Sequence, residues 1–98
     1  MQNGKKDSDW FKTATLLILS ALYDMDPTGE KGMATASVYI AMQEHGVRAR
    51  DWAWLVLMLT GTKDDPLCRQ KGHTLYLTAR GRELGRKVSE RLAAHKAA

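Results

Sequence analysis

Residues 66–84 constrain the fold of this chain more than any other stretch, because two β-prone segments flank a glycine turn and lead directly into a helix start. Gly72 can adopt the positive φ that a tight turn requires. The segment from Thr74 to Leu77 favours a strand, and the Thr78 hydroxyl can cap the first free N–H groups of a following helix. The pattern predicts a β-hairpin that returns the chain into a closing helix.

An apolar segment near the start of the chain predicts the first helix, from about Asp9 or Trp10 to about Tyr23, with Ser8 or Asp9 as its cap. Its apolar side chains are too many for one buried stripe. One side, at helical spacing, consists of Trp10, Ala14, Leu17, Ile18 and Ala21. So small a domain has little material to surround a helix, so we expect the other side to form a subunit interface; the alternative is a helix central to the fold. That other side consists of Leu16, Leu19 and Tyr23.

The middle of the chain predicts two further helices on either side of Gly46. A very short strand at Met33-Ala34 precedes the second helix, which ends at His45, with Gly46 as a left-handed stop. The third helix follows within a few residues and covers roughly Arg48 to Thr60. Two helices joined by a glycine-containing turn form the helix-turn-helix pattern, whose second helix is offered to the DNA major groove.

The closing segment Leu75-Tyr-Leu-Thr-Ala-Arg-Gly-Arg-Glu-Leu84 and the order of elements resemble the winged helix-turn-helix superfamily, most closely the MarR- and PadR-like bacterial regulators. The wing of that family commonly returns through a Leu-Thr-x-x-Gly-Arg-x-Leu type segment. The resemblance covers residues 10–92 as an element order and residues 75–84 as a motif. It implies a mainly α fold with a small β-hairpin wing. It also implies a homodimer that binds double-stranded DNA, with the third helix in the major groove and the hairpin on a neighbouring groove or backbone.

The length of 98 residues fits one domain. We expect a flexible N-terminus over residues 1–8, a DNA-binding domain over residues 9–94 and a frayed tail over residues 95–98. The longest apolar run is far shorter than the roughly 20 residues that span a bilayer, and the polar N-terminus fits a secretory signal poorly. The single cysteine suits a reducing cytoplasm. The expected location is therefore the cytoplasm, and the resemblance to bacterial regulators implies a prokaryotic protein associated with the nucleoid.

Basic residues are concentrated in the last third of the chain. Residues 1–62 carry six Lys/Arg and seven Asp/Glu, whereas residues 63–98 carry nine and four. A local positive excess suits a surface that faces phosphates, although solvated helix charge would give the same composition. The residues predicted to contact DNA are Arg48 and Arg50 in the third helix and Lys63, Arg69, Lys71 and His73 around the hairpin.

The third helix is unusually apolar for a helix that contacts base edges, which is normally done by Arg, Lys, Asn, Gln, Ser or Thr. Helical spacing predicts that one side of this helix faces the core; this side consists of Trp52, Leu55, Val56 and Leu59. The outer side carries Arg50, Ala53, Trp54, Leu57 and Met58. Trp and Met are enriched at the centres of protein interfaces. The alternative function is therefore a protein-interaction module that uses Trp54, Leu57 and Met58 and binds DNA weakly or not at all.

Catalytic and metal-binding patterns are weak in this sequence. The segment Asp24-Met-Asp-Pro-Thr28 matches the opening motif of haloacid-dehalogenase-like phosphotransferases, but their multi-stranded parallel sheet exceeds what this chain can supply. As an EF-hand loop it would place Thr35 where calcium requires a bidentate Glu. Cys68 and His73 lack the further ligands of a zinc site. We therefore expect no enzyme, no metal and no cofactor, and an inert thiol at Cys68 in preference to a redox sensor.

Overall fold

The computed structural model describes residues 7–61 and 64–97, with side chains up to residue 95. Within these residues four helices and three strands follow one another. Their bounds are α1 (Ser8–Met25), β1 (Met33–Ala34), α2 (Thr35–Gln43), α3 (Ala49–Thr60), β2 (Cys68–Lys71), β3 (Thr74–Leu77) and α4 (Ala79–Ala97). The strands form one antiparallel sheet in the order β1-β3-β2. The prediction of a mainly helical fold with a small β-hairpin is confirmed.

The hairpin forms where the turn residues predict it. Cys68 pairs with Leu77 and Lys71 pairs with Thr74, so that β2 and β3 are in register up to the turn. Gly72 in this turn has a φ of 58°, which side chains with a Cβ rarely adopt. On its other edge β3 pairs with β1, which places Leu75 opposite Met33. The central strand β3 therefore supplies two buried leucines to the core, Leu75 and Leu77.

Both apolar sides of α1 are used, and α4 covers one of them. Leu19 has no exposed surface, and Tyr23 is half-buried. Gly85 allows α4 to approach closely, because a Cβ there would lie 2.6 Å from the Leu19 carbonyl oxygen and 3.0 Å from the Tyr23 Cβ. The interface prediction is therefore wrong for Leu19, which is buried within its own chain. Leu16 keeps an exposed fraction of 36%.

Several helix ends differ from their predicted positions. The Asp7 carboxylate caps α1 by accepting a hydrogen bond from the Trp10 N–H at 2.9 Å, so neither Ser8 nor Asp9 is the cap. Ser8 belongs to α1, whereas the rest of the predicted flexible N-terminus, residues 1–6, lies outside the described residues. At the other end α4 continues to Ala97, because alanine and lysine favour the helix and no Gly or Pro interrupts it. Residues 95–97 therefore belong to α4, and the fraying of this tail stays a prediction.

Candidate nucleic-acid interface

Thr78 joins the base of the hairpin to the start of α4. Its hydroxyl donates to the Pro66 carbonyl at 2.6 Å and accepts from the Gly81 N–H at 3.1 Å. Its own N–H donates to the Leu67 carbonyl at 3.1 Å. A Cβ at Gly81 would overlap that same Leu67 carbonyl. Thr78 and Gly81 therefore fix the first turn of α4 against the hairpin, which gives the Leu-Thr-x-x-Gly-Arg segment a structural reason.

The outer face of the hairpin and the first turns of α4 border a shallow pocket with a volume of about 480 Å³. We call this pocket the basic concavity. Arg69 and Lys71 project to the same face of β2 because they are two residues apart. Arg82 approaches from α4, and Gly29 of the α1–β1 loop forms part of the opposite wall. Tyr76 lies directly across from Arg69, with the Lys71 ammonium 5.9 Å from its ring centroid.

The three cations of the basic concavity take no part in an ion pair within the described residues. Among the described residues that line the concavity, the only acidic side chain is that of Glu30. The three cations and this one carboxylate leave a local excess of positive charge. An anion can therefore approach Arg69, Lys71 and Arg82 without displacing an existing partner.

The next cations of α4 are neutralised by neighbouring carboxylates. The Arg86 guanidinium lies 2.8 Å from the Glu83 carboxylate and 2.9 Å from that of Glu90, and the Lys87 ammonium lies 3.7 Å from Glu83. The hydrogen bond from Arg86 and its positive charge lower the pKa of Glu83. Before this group, Arg80 lies 3.8 Å from the Asp65 carboxylate. Among the cations from Arg80 to Lys87, Arg82 is therefore the one that takes no part in an ion pair within the described residues, and it lines the basic concavity.

The Asp24-Met-Asp-Pro-Thr28 segment builds the loop beside the basic concavity. The buried Asp26 carboxylate accepts hydrogen bonds from the Gly32 N–H at 2.8 Å and from the Thr28 hydroxyl at 3.2 Å. The loop then places Gly29 so close to α4 that a Cβ there would lie 3.1 Å from a guanidinium nitrogen of Arg82. Asp26 thus has a structural role. Among the described residues no group of three or more His, Cys, Asp or Glu side chains is placed to hold a metal ion.

Three of the predicted hairpin residues lie within the described part of the chain; all three are exposed, and two of them meet in the basic concavity. Arg69 and Lys71 line it, whereas His73 lies in the turn, where its carbonyl accepts a hydrogen bond from the Thr35 N–H at 2.8 Å. Lys63 lies outside the described residues. Arg82 was not among the residues predicted to contact DNA. The sequence signal for Arg82 is the cap at Thr78, whose hydroxyl is bonded to the base of the hairpin. Arg82 follows Thr78 by four positions and therefore lies on the same face of α4 as the cap, beside the hairpin.

The outer face of α3 is apolar and exposed, as the helical spacing predicts. The exposed fractions of Trp54, Leu57 and Met58 are 60%, 57% and 40%. Trp54 and Met58 line an apolar groove of about 400 Å³ together with Phe11 and Lys12 of α1. On the inner side, Leu55 and Leu59 are fully buried and Trp52 and Val56 are half-buried.

The two arginines at the start of α3 are exposed and do not line the basic concavity. Arg48 is the N-cap residue of this helix, and its N–H donates to the Asp51 carboxylate at 3.0 Å. Arg50 lies one turn before Trp54 and thus on the same face. The structure therefore separates the predicted DNA contacts into a hairpin group and an α3 group.

The thiol of Cys68 lies in the core beneath the hairpin. Its exposed fraction is 1%, and burial raises its pKa to about 12. At neutral pH the sulfur is therefore protonated, and the thiolate is the form that reacts with oxidants and metals. These properties favour the predicted inert thiol.

Two surfaces of the described residues thus have the chemistry of binding sites. The basic concavity has three cations outside any ion pair of the described residues, and the outer face of α3 has exposed aromatic and aliphatic side chains. Across the described residues no helix is both long enough and apolar enough to cross a membrane. Comparisons of the chain with protein-family models, with curated proteins and with solved structures find no match. The function is therefore inferred from the chemistry of these two surfaces.

Proposed function

We propose that the protein binds double-stranded DNA through the basic concavity and the hairpin that carries it. The observation that supports this function is the convergence of Arg69, Lys71 and Arg82 on one concave surface. Arginine can hold a phosphate with two parallel hydrogen bonds, and lysine adds a compact positive charge. The element order and the strand order β1-β3-β2 are compatible with a winged helix, which is why duplex DNA is the proposed polyanion.

The hairpin would supply most of the binding free energy in this proposal. Contacts between basic side chains and backbone phosphates fix a protein on the duplex but carry no sequence information directly. The middle of α3 offers apolar side chains in place of the polar groups that bind base edges. Base contacts would therefore come from Arg48 and Arg50, inserted end-on from the first turn of α3. As a homodimer, the protein would occupy two half-sites on the duplex. It would then act as a transcriptional regulator by blocking the access of polymerase or a competing factor to the DNA.

The test is a titration of fluorescently labelled duplex DNA at low salt, followed by the same titration as salt is raised. Affinity should fall linearly with salt on a log–log plot, because phosphate contacts release counterions. Selection of bound duplexes from a random pool would then report any half-site spacing. The proposal is wrong if the protein fails to bind duplex DNA at low salt or binds it with an affinity that salt does not change.

A second candidate function is a protein-interaction module, which the exposure of Trp54 and Leu57 favours. Large aromatic anchors carry much of the binding energy of protein interfaces. Measuring the oligomeric state with and without random duplex DNA at low salt separates the two functions. A stable oligomer that ignores DNA supports the interaction module.

A further inference from the structure

The aromatic side chain of Tyr76 lines the basic concavity together with its three cations. We infer that Tyr76 is a positioning residue, whose ring holds the Lys71 ammonium at the concavity before a phosphate arrives. The inference rests on the proposed function, because it concerns how the same surface binds DNA.

The register of the hairpin places the ring of Tyr76 beside Lys71. Tyr76 of β3 pairs with Arg69 of β2, and Lys71 pairs with Thr74. Opposite residues of an antiparallel pair lie on the same face of the sheet, and diagonal neighbours are within reach of aromatic and long side chains. Tyr76 and Lys71 are diagonal neighbours, and the Lys71 ammonium lies over the ring at 5.9 Å from its centroid. A cation at this distance is attracted by the negative face of the ring.

The α1–β1 loop restrains the same ring from a second direction. Gly32 lies so close to Tyr76 that a Cβ there would be 2.7 Å from the ring atom Cε2 and 2.8 Å from Cδ2. The Gly32 N–H donates to the buried Asp26 carboxylate at 2.8 Å, which holds the loop against the ring. The Tyr76 side chain is accordingly half-buried. A ring restrained in this way can in turn restrain the lysine that lies over it.

Such a restraint matters for Lys71 because an exposed lysine has many rotamers. Lys71 is exposed and takes no part in an ion pair within the described residues. Ordering one rotamer-rich side chain on binding lowers affinity by about two- to tenfold. An ammonium already held over a ring avoids much of this loss. Arg82 provides a comparison, because it belongs to α4 and lies against Gly29 of the loop.

Nuclear magnetic resonance of the protein alone tests the contact. In the wild type the ring current of Tyr76 should shift the ε-methylene protons of Lys71 upfield. Tyr76→Phe retains the ring and should retain this shift, whereas Tyr76→Leu should abolish it. Urea denaturation of each variant checks that the fold is retained. Lys71 protons at the ordinary lysine position in the wild type would overturn the inference, whether or not the protein binds DNA.

A double-mutant cycle in duplex-DNA binding at low salt tests the consequence of the contact. Tyr76→Leu should weaken binding by about two- to tenfold, and Tyr76→Phe should bind as the wild type does. The loss of affinity caused by Lys71→Gln should be smaller by the same factor in the Tyr76→Leu background. Arg82→Gln is the matched control, and it should cause the same loss in both backgrounds.

The outcomes separate this inference from the proposed function. A wild type that fails to bind duplex DNA at low salt overturns the proposed function, and with it the role of Tyr76 in that function. A wild type that binds DNA with the expected salt dependence, but in which Tyr76→Leu causes the same loss with and without Lys71, overturns this inference alone. That second result would assign the ring a direct contact with DNA.

Discussion

Neutralising the basic concavity is the most direct perturbation of the proposed DNA-binding surface. The variant Arg69→Gln, Lys71→Gln, Arg82→Gln removes three positive charges and retains most of the side-chain length. None of the three cations belongs to an ion pair in the described structure, so no carboxylate is left without its partner. Surface substitutions of this kind usually change the free energy of unfolding by less than about 0.5 kcal/mol. A loss of DNA binding would therefore report the lost contacts.

The expected magnitude follows from the number of cations. Each phosphate contact adds about 0.9 to the slope of log affinity against log salt concentration, so three contacts add about 2.7. Between about 50 and 200 mM salt, the affinity of the wild type should then fall about 40-fold more than that of the triple variant. The effect should be similar for duplexes of different sequence, since phosphate contacts carry no sequence information directly.

Fluorescence anisotropy over a salt series measures both slopes. Arg86→Gln is the matched control, because Arg86 lies on α4 but is already held by two carboxylates, Glu83 and Glu90. Its salt slope should stay close to that of the wild type. Equal losses of slope in the control and in the triple variant would show that general positive charge drives binding. A triple variant with the wild-type slope would refute the role of the basic concavity.

Three further predictions concern the fold around this surface. Gly81→Ala should lower the free energy of unfolding by about 3 kcal/mol in urea denaturation, because its Cβ would overlap the Leu67 carbonyl; an unchanged midpoint would contradict the close approach. Asp26→Ala should cost about 1–3 kcal/mol in the same measurement, because the half-buried Gly32 N–H loses its acceptor; a smaller loss would show that water replaces the carboxylate. Cys68, whose pKa is raised to about 12, should react with an aromatic disulfide reagent near pH 8 only as the protein unfolds; rapid reaction of the folded protein would refute its burial.

Local signals were sufficient to predict the hairpin and the start of α4. The turn depends on Gly72, and the cap depends on Thr78, so each feature is determined within its own short segment. The two sides of α3 were also predictable, because a helix with regular spacing separates its apolar residues by angle alone. Leu55 and Leu59 are buried and Trp54 is exposed, as that spacing indicates.

Contacts between distant segments were not predictable from the same patterns. The second apolar side of α1 fits a subunit interface or another helix of the same chain equally well. The decisive feature is the close approach of α4 at Gly85, which covers Leu19 and which no local pattern reveals. Arg82 was left out of the predicted DNA contacts for a different reason. The spacing of Arg86 and Lys87 from Glu83 and Glu90 predicts their ion pairs. Arg82 differs from these two cations because it takes no part in an ion pair within the described residues.

The two candidate surfaces are mechanically connected, because the last turn of α3 is tied to the base of the hairpin. The Leu67 N–H donates to the Leu59 carbonyl at 3.1 Å, and Leu67 in turn accepts from Thr78 at the start of α4. In the proposed homodimer, this connection would fix the direction of each hairpin relative to α3 of its own copy. Two basic concavities on one rigid dimer would then bind one duplex with an effective concentration set by their spacing.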